Sequence, residues 1–346
     1  MRRWLIRGVS SLLSVAVVLL LAFLAGRGGA AFDRSLSASN ATITAYPLVA
    51  FRPALPEQKR FGPLEYIGGL ELRSSHPAFG GISALRMTKG DAFIAVSDVG
   101  DWITGRIASR NDLPTGLEGV QIGPILLPDG KRAKDVGLWD SESIAYDGKQ
   151  AYIGIERLHS VLSFDFGKDG IRSLGRNVPV PDFVRDWPQN RGIEALGFMP
   201  SGSPYAGRLI GLSERSSDKG ETSDGFVMKP DGSEPFRFSI RRSGGFDVTD
   251  LDFLPNGDLV LLERFFSPLR GVGMRLRRIK TALVQPDAVI EPKILLTADN
   301  SYSIDNMEGL SIHQNDKGET LFTLISDNNF SIAQRNLLLR FRWNGD

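Results

Sequence analysis

The sequence contains no cysteine, so disulfides, thiolate nucleophiles and cysteine-ligated metals are excluded. Histidine is almost as scarce. His76, His159 and His313 fall in unrelated contexts without an H-x-x-x-H spacing, and each reads as an ordinary surface or core side chain. No Gly-x-Ser-x-Gly elbow, Walker A loop or dinucleotide fingerprint is present. An excess of charge is missing too: 41 Lys and Arg against 40 Asp and Glu give a net charge of +1, which carries no sign of a nucleic-acid partner. No apolar run reaches the ~20 residues of a bilayer-spanning helix. What remains is 346 residues with 42% apolar and 23% charged side chains, the composition of a globular chain with ample core.

The first 31 residues differ from the rest. Arg2, Arg3 and Arg7 precede an apolar run from Leu12 to Ala25, followed by Gly28, Gly29, Ala30 and Ala31. A basic start, a short apolar centre and a small-residue exit are the parts of a secretory signal peptide. An uncleaved N-terminal anchor is the alternative, and would be the chain's one membrane contact. Either reading places the mature part outside the cytoplasm, periplasmic or secreted. Residues 32–60 are polar and proline-containing and read as a connecting arm, leaving 61–346 as the folded domain.

From residue 61 onward the chain is a series of short β-like runs. Ala92–Val96, Ala151–Ile155, Leu209–Leu212, Leu259–Leu262 and Leu321–Ile325 are rich in β-branched and other apolar residues. Asp129-Gly130, Asp147-Gly148, Asp231-Gly232, Asn256-Gly257 and Lys317-Gly318 supply tight turns. No long 3.6-residue periodicity interrupts them, so little helix is expected. The runs repeat. A polar-x-aliphatic-x-apolar unit recurs around Leu85, Ile144, Leu196, Leu251 and Leu310, and each is followed by a strand ending near an acid. The centres lie about 50–60 residues apart, a repeat that predicts an all-β propeller. Five units are visible. A sixth could lie in the less regular spans 110–135, 160–190 and 270–300, and residues 61–74 and 337–343 could share a closing blade.

Equivalent strand ends of successive blades meet around one axis. The repeat therefore gathers Asp98, Asp101, Glu142, Glu156, Glu194, Glu214, Glu263, Glu308 and Asp327, with Asp305, Asn306, Asn328 and Asn329 as further oxygen donors. Clustered carboxylates stay ionised only when cations or hydrogen bonds offset them. Hard cations such as Ca2+ take several oxygen ligands, so a metal or ligand site is one reading. The other is a structural ring of ion pairs: Arg follows the acid in Glu156-Arg157, Glu214-Arg215 and Glu263-Arg264, and an acid of one blade could pair with an Arg of the next. The basic stretch Arg270–Lys280 reads as a solvated strand face, or alternatively as cations for a phosphate.

Several segments, taken in order, resemble the phytase-like family: Ser83–Leu85, Ala95–Gly100, Asp140–Ala145, Asn190–Leu196, Leu261–Phe265, Asp305–Leu310 and Ser326–Phe330. The resemblance covers residues 63–343 and implies a β-propeller, six blades being favoured, with esterase-like or phosphoester hydrolase activity. It further implies calcium as cofactor, held by Asp98, Glu142, Glu156, Glu194, Glu214, Glu263, Glu308 and Asp327. Arg157, Arg215, Arg264, Asn306 and Asn328 would then meet a small-molecule phosphoester or ester substrate. The sequence departs from the pattern where Ser83 and Thr249 replace blade-leading acids, and assigns no catalytic residue. Two rivals stand beside this reading: a non-catalytic ligand- or protein-binding propeller, and a lactonase-like esterase with one central calcium.

Overall fold

The runs of alternating and continuous apolar residues form strands because each can bury a face against the next sheet. The computed structural model describes residues 37–216 and 220–345, so the segment read as signal or anchor lies outside the described residues. The first strands are β1 (Ser39–Asn40), β2 (Ile43–Leu48), β3 (Arg60–Phe61) and β4 (Leu64–Ser74). Blade 1 follows as β5 (Ile82–Met87), β6 (Ala92–Ser97), β7 (Asp101–Arg110) and β8 (Leu113–Pro124), with β1 on its outer edge. Blade 2 is β9 (Ser141–Tyr146), β10 (Ala151–Ile155), β11 (Ser160–Phe164) and β12 (Arg176–Val178). Blade 3 is β13 (Ile193–Phe198), β14 (Leu209–Ser213), β15 (Thr222–Met228) and β16 (Phe236–Arg241). Blade 4 contains β17 (Asp247–Phe253), β18 (Leu259–Ser267), β19 (Gly271–Ile279) and β21 (Lys293–Asp299), while the intervening β20 (Val289–Ile290) pairs back onto blade 3. Blade 5 joins β22 (Asn306–Gln314), β23 (Thr320–Asp327) and β24 (Asn336–Trp343) to β4 and then β2.

The protein is thus an all-β propeller of five blades, and the sixth blade expected from the resemblance is not found among the described residues. The spans in which it was sought hold the outer strands β8, β11, β12, β19 and β21 of blades already counted. The shared closing blade is found: β4 pairs with β24 from Leu64 opposite Trp343 to Leu72 opposite Asn336. Part of the arm is also built into the sheets, through β1 and β2, and Phe51 is fully buried between Phe61, Tyr302 and Phe341 at centroid separations of 4.9–5.0 Å. The five expected turn glycines, at 130, 148, 232, 257 and 318, all carry the positive φ that such turns demand.

The inner strands β5, β9, β13, β17 and β22 surround the axis, and Gly309 shows how close they come. A Cβ there would lie 3.0 Å from the Leu85 backbone nitrogen of the next blade. Apolar clusters fill the spaces between blades, as with Ile144, Ile153 and Trp102 between blades 1 and 2, or Leu251, Leu261 and Ile210 between blades 3 and 4. Each such buried side chain contributes about 1.5–3 kcal/mol. Side chains also reach from one inner strand to the next: Ser143 Oγ donates to Ile193 O at 2.8 Å, and Thr249 Oγ1 to Met307 O at 3.1 Å.

Arg86 closes the axis. Its guanidinium donates to both oxygens of Asp250 at 2.8 Å and to the carbonyls of Leu85, Leu196, Leu251 and Leu310 at 2.6–2.9 Å. It therefore ties inner strands of blades 1, 3, 4 and 5 with one planar group, and Asp250 in turn accepts the backbone N–H of Leu310 at 2.8 Å. Burial works against the Arg86 charge, but the Asp250 carboxylate more than offsets this and leaves its pKa raised. Removing one partner leaves a buried charge uncompensated. Replacing Arg86 with Leu is expected to destabilise the propeller by about 3–5 kcal/mol, against less than about 1 kcal/mol for Arg73→Ala at the surface, both read from denaturant unfolding.

Candidate functional site

Every inner strand carries a register shift at the same level. The shift skips Ser83, Glu142, Glu194, Thr249 and Glu308, so each blade has a bulge where the sequence repeat has its leading polar residue. A bulge re-aims a side chain out of the ladder, and repeated around an axis it makes a ring. The second strand of each blade adds one more position at the same level. Ser97, Ile155, Ser213, Glu263 and Ser326 pair opposite the strand start, and the residues that follow them are Asp98, Glu156, Glu214, Arg264 and Asp327. The two rings lie on one end of the propeller, here termed the upper face.

This register corrects one expected ligand. Glu263 is a residue too early, and successive strand residues face opposite sides. It is fully buried inside blade 4, where it accepts from Arg275 Nε at 2.6 Å and from Arg277. Arg275 and Arg277 of the basic stretch are thereby engaged with Glu263, and Arg278 with Asp258, while Arg264 occupies the ring position that an acid holds in the other four. Asp101 is likewise set apart, paired with Lys134 Nζ at 3.3 Å. Asn328 uses its side-chain oxygen to accept from the backbone N–H groups of Gly81 and Phe330, at 3.2 Å each, and shapes a loop.

The remaining acids are brought together, and they divide into two halves. On the side of blades 3 to 5, ion pairs run from one segment to the next. Arg264 Nε lies 2.9 Å from Glu308 Oε1, Arg191 pairs with Glu214 at 2.9 Å, and Arg215 Nε donates to Asp247 Oδ1 at 2.6 Å, with Arg242 on the same carboxylate. Asn306 Nδ2 donates to Glu308 at 2.8 Å, and Asp305 is met by Arg335 at 3.3 Å. The Glu308 and neighbouring carboxylates raise the Arg264 pKa. The ion-pair reading of the sequence describes this half.

On the side of blades 1 to 3 the acids face one another. Ligand oxygens of Asp140, Glu142 and Glu156 lie within 4.8 Å of each other, as do those of Glu156, Glu194 and Glu214. Among the described residues no Lys or Arg forms an ion pair with Asp98, Glu142, Glu156 or Glu194. Arg157 is exposed and stacks over Trp139 at 4.4 Å, so its charge reaches Asp140 only through space. Asp98 Oδ1 is buried with no hydrogen-bond partner. Burial, and then the neighbouring carboxylates, hold Asp98, Glu142 and Glu194 well above the usual carboxylate range. Burial pushes Glu156 up to about 7, Asp327 to about 6 and Glu308 to about 8.

Sequence reasoning left out Asp140, Arg191 and Asp247 as site residues. Asp140 lies only two residues before Glu142, but what aims it inward is a left-handed backbone, φ 73°, which an aspartate sequence position alone does not disclose. His159, Asn190, Asn329 and Phe330 share such positive φ on the loops of the same face, and strained residues of this kind concentrate at working sites. Gly81 matters for the same reason: at φ 60° it lets Asp98 approach, and a Cβ there would lie 2.1 Å from Asp98 Oδ1.

Fold and site together define a five-bladed propeller with an axial carboxylate centre. The chain belongs to the phytase-like family, described as having the esterase-like activity of phytase, with the match spanning residues 77–330. No curated protein matches the sequence. Among solved structures, the chain is similar to the glutaminyl cyclase of Myxococcus xanthus, 12% identical with a TM-score of 0.42, covering 81% of this chain and 96% of that one. It is also similar to the PQQ-bound aldose sugar dehydrogenase of Streptomyces coelicolor, 12% identical with a TM-score of 0.44, covering 89% and 99%. Likenesses this distant carry no argument about the chemistry of this chain.

The raised carboxyl pKa values make folding take up protons. A carboxyl bound more tightly to its proton in the folded state stabilises the fold fully below its ordinary pKa of 4.5, and that contribution is lost as pH rises through the folded value. With divalent cations chelated, the melting temperature is expected to fall as pH rises from about 4.5 through about 7, where Glu156 ionises, to about 8 for Glu308. Glu156→Gln with Glu308→Gln should flatten that slope in a thermal-melt series.

Proposed function

We propose that the chain is a divalent-cation-dependent hydrolase of phosphoesters or related esters, working at the axial carboxylates outside the cytoplasm. One observation carries the reading: Asp98, Asp140, Glu142, Glu156 and Glu194 crowd one half of the ring without the arginines that neutralise the other half. Such a set is stable when ionised only if a cation joins it. The residues fit that ion. All donors are hard oxygens, the buried Asp98 Oδ1 lacks a partner, and oxygen separations within 4.8 Å match ligands about 2.4 Å from a shared centre, the range of Ca2+. Asp140, Glu142 and Glu156 would hold the ion, with Glu194 and Asp98 beside them.

When bound, the ion supplies polarisation of an ester or phosphoryl oxygen and a more acidic water. The protein's own groups do the rest. Arg157, Arg191 and Arg215, at least one-third exposed at the mouth, present positive charge to an anionic group and favour a charged substrate over an uncharged lactone. Arg264 and Asn306 fix the Glu308 carboxylate, which lies outside both triads. Calcium titration by calorimetry tests the reading. Glu142→Gln and Glu156→Gln are expected to weaken binding at least ~10-fold, and chelation to abolish turnover of a phosphate- or carboxylate-ester panel. Glu263→Gln should lower stability and leave calcium affinity unchanged; absence of saturable binding to the parent protein would sink the proposal.

A further inference from the structure

Each blade repeats one more ring position, two residues before the bulge and opposite the strand end. It holds Gly81, Asp140, Gly192, Asp247 and Asn306 in turn. In blades 2 and 3 the second strand is followed by the same dipeptide, Glu156-Arg157 and Glu214-Arg215. Arg215 reaches into the next blade, where its Nε donates to Asp247 Oδ1 at 2.6 Å. For Arg157 the corresponding residue of the next blade is Gly192. No side chain fits there, since a Cβ would lie 2.4 Å from the Glu156 carbonyl oxygen and 2.6 Å from His159 Nδ1. The turn that carries Arg157, closed by His159 N donating to Glu156 O at 3.1 Å, therefore excludes the kind of acceptor that captures Arg215.

Asp140 and Glu156 are the acids left beside Arg157. Glu156 N donates to Asp140 O at 2.9 Å, and the Arg157 charge acts on the Asp140 carboxyl. A guanidinium turned onto that carboxylate would carry the ion pairs of blades 3 to 5 around into the other half of the ring, as Arg264 does at Glu308. Instead, the Arg157 guanidinium lies 4.4 Å from the centroid of the Trp139 ring, and among the described residues it enters no ion pair. An exposed ion pair and a cation–π stack are of similar, small strength, so the partner already in place decides between them. Trp139 is such a partner. It immediately precedes Asp140, is half-buried, and sets its Cα and Cβ against Gly100, where an added Cβ would lie 3.8 Å from both. We propose that Trp139 is a positioning residue that withholds Arg157 from the carboxylates, and so keeps Asp140 and Glu156 open to a divalent cation. This rests on the ring taking a cation.

Calcium titration of the full chain by calorimetry tests this. Trp139→Leu is expected to weaken calcium binding ~10-fold, the size of effect that outer-shell partners have, because the released guanidinium pairs with Asp140. Trp139→Phe keeps an aromatic face and should bind within about 3-fold of the parent. Arg157→Gln alone should bind at least as tightly as the parent, and Trp139→Leu combined with Arg157→Gln should recover the parent's affinity. A merely structural tryptophan would lose affinity in both backgrounds. A crystal structure of calcium-free Trp139→Leu gives a readout that needs no cation: the guanidinium is expected within about 4 Å of an Asp140 or Glu156 oxygen. Unchanged affinity in Trp139→Leu, a loss that persists without Arg157, or a guanidinium that stays clear of both acids overturns the proposal and leaves the cation reading standing. Failure of the parent to bind calcium overturns both.

Discussion

The structure depends on what happens at the axis, where five strands approach too closely for ordinary side chains and still have carbonyl groups to satisfy. One guanidinium resolves this. Arg86 offers donors in several directions in one plane, and carbonyls from three other blades and its own converge on it. Asp250 supplies the balancing charge from the blade across the ring. A lysine would bring a point charge without the planar fork. The inner strands are therefore held at a fixed separation, and the bulges one turn of the pleat above them are held at a fixed radius. The acids that project from those bulges inherit their spacing from this plug.

Position in the ring then decides what each acid can do. The same two structural slots, bulge and strand end, hold serine and aspartate in blade 1, two glutamates in each of blades 2 and 3, threonine and arginine in blade 4, and glutamate and aspartate in blade 5. The frame is five-fold, but its charge is not. A single basic residue at the blade 4 slot, with arginines drawn in from the connections around it, turns one side of a repulsive ring into ion pairs and leaves the acids of the other side facing one another.

Much of this was readable before any coordinates. The repeat around Leu85, Ile144, Leu196, Leu251 and Leu310 marks the inner strands, because alternation and turn glycines are local signals. The leading residues Ser83, Glu142, Glu194, Thr249 and Glu308 are all bulge positions, and strands 64–74 and 336–343 do share a blade. Register was harder. Glu263 and Arg264 are adjacent, and a shift of one residue decides which faces the axis; spacing from Leu251 does not resolve that because the turns differ in length. Arg86 is one of the unspecified positions in its repeat and gave no sign of its role. Pairing between Arg264 and Glu308, or Arg215 and Asp247, depends on blade order around a ring. The five visible repeats match the five blades, whereas the favoured sixth has a related origin: outer strands are half-exposed and irregular, and their spans look like room for another blade.

Closure through blade 5 has a consequence for how the molecule is made. Strand β4 must remain without its partner until β24 exists, and the two are separated by almost the whole domain. Such non-local pairing is slow to form because the chain must be looped before any contact rewards it. Until then β4 is an open edge with several apolar residues, and open edges recruit other chains. The strand β24 is therefore also the one that removes the chief hazard of β4, and loss of that strand would leave the ring open with an unpaired edge.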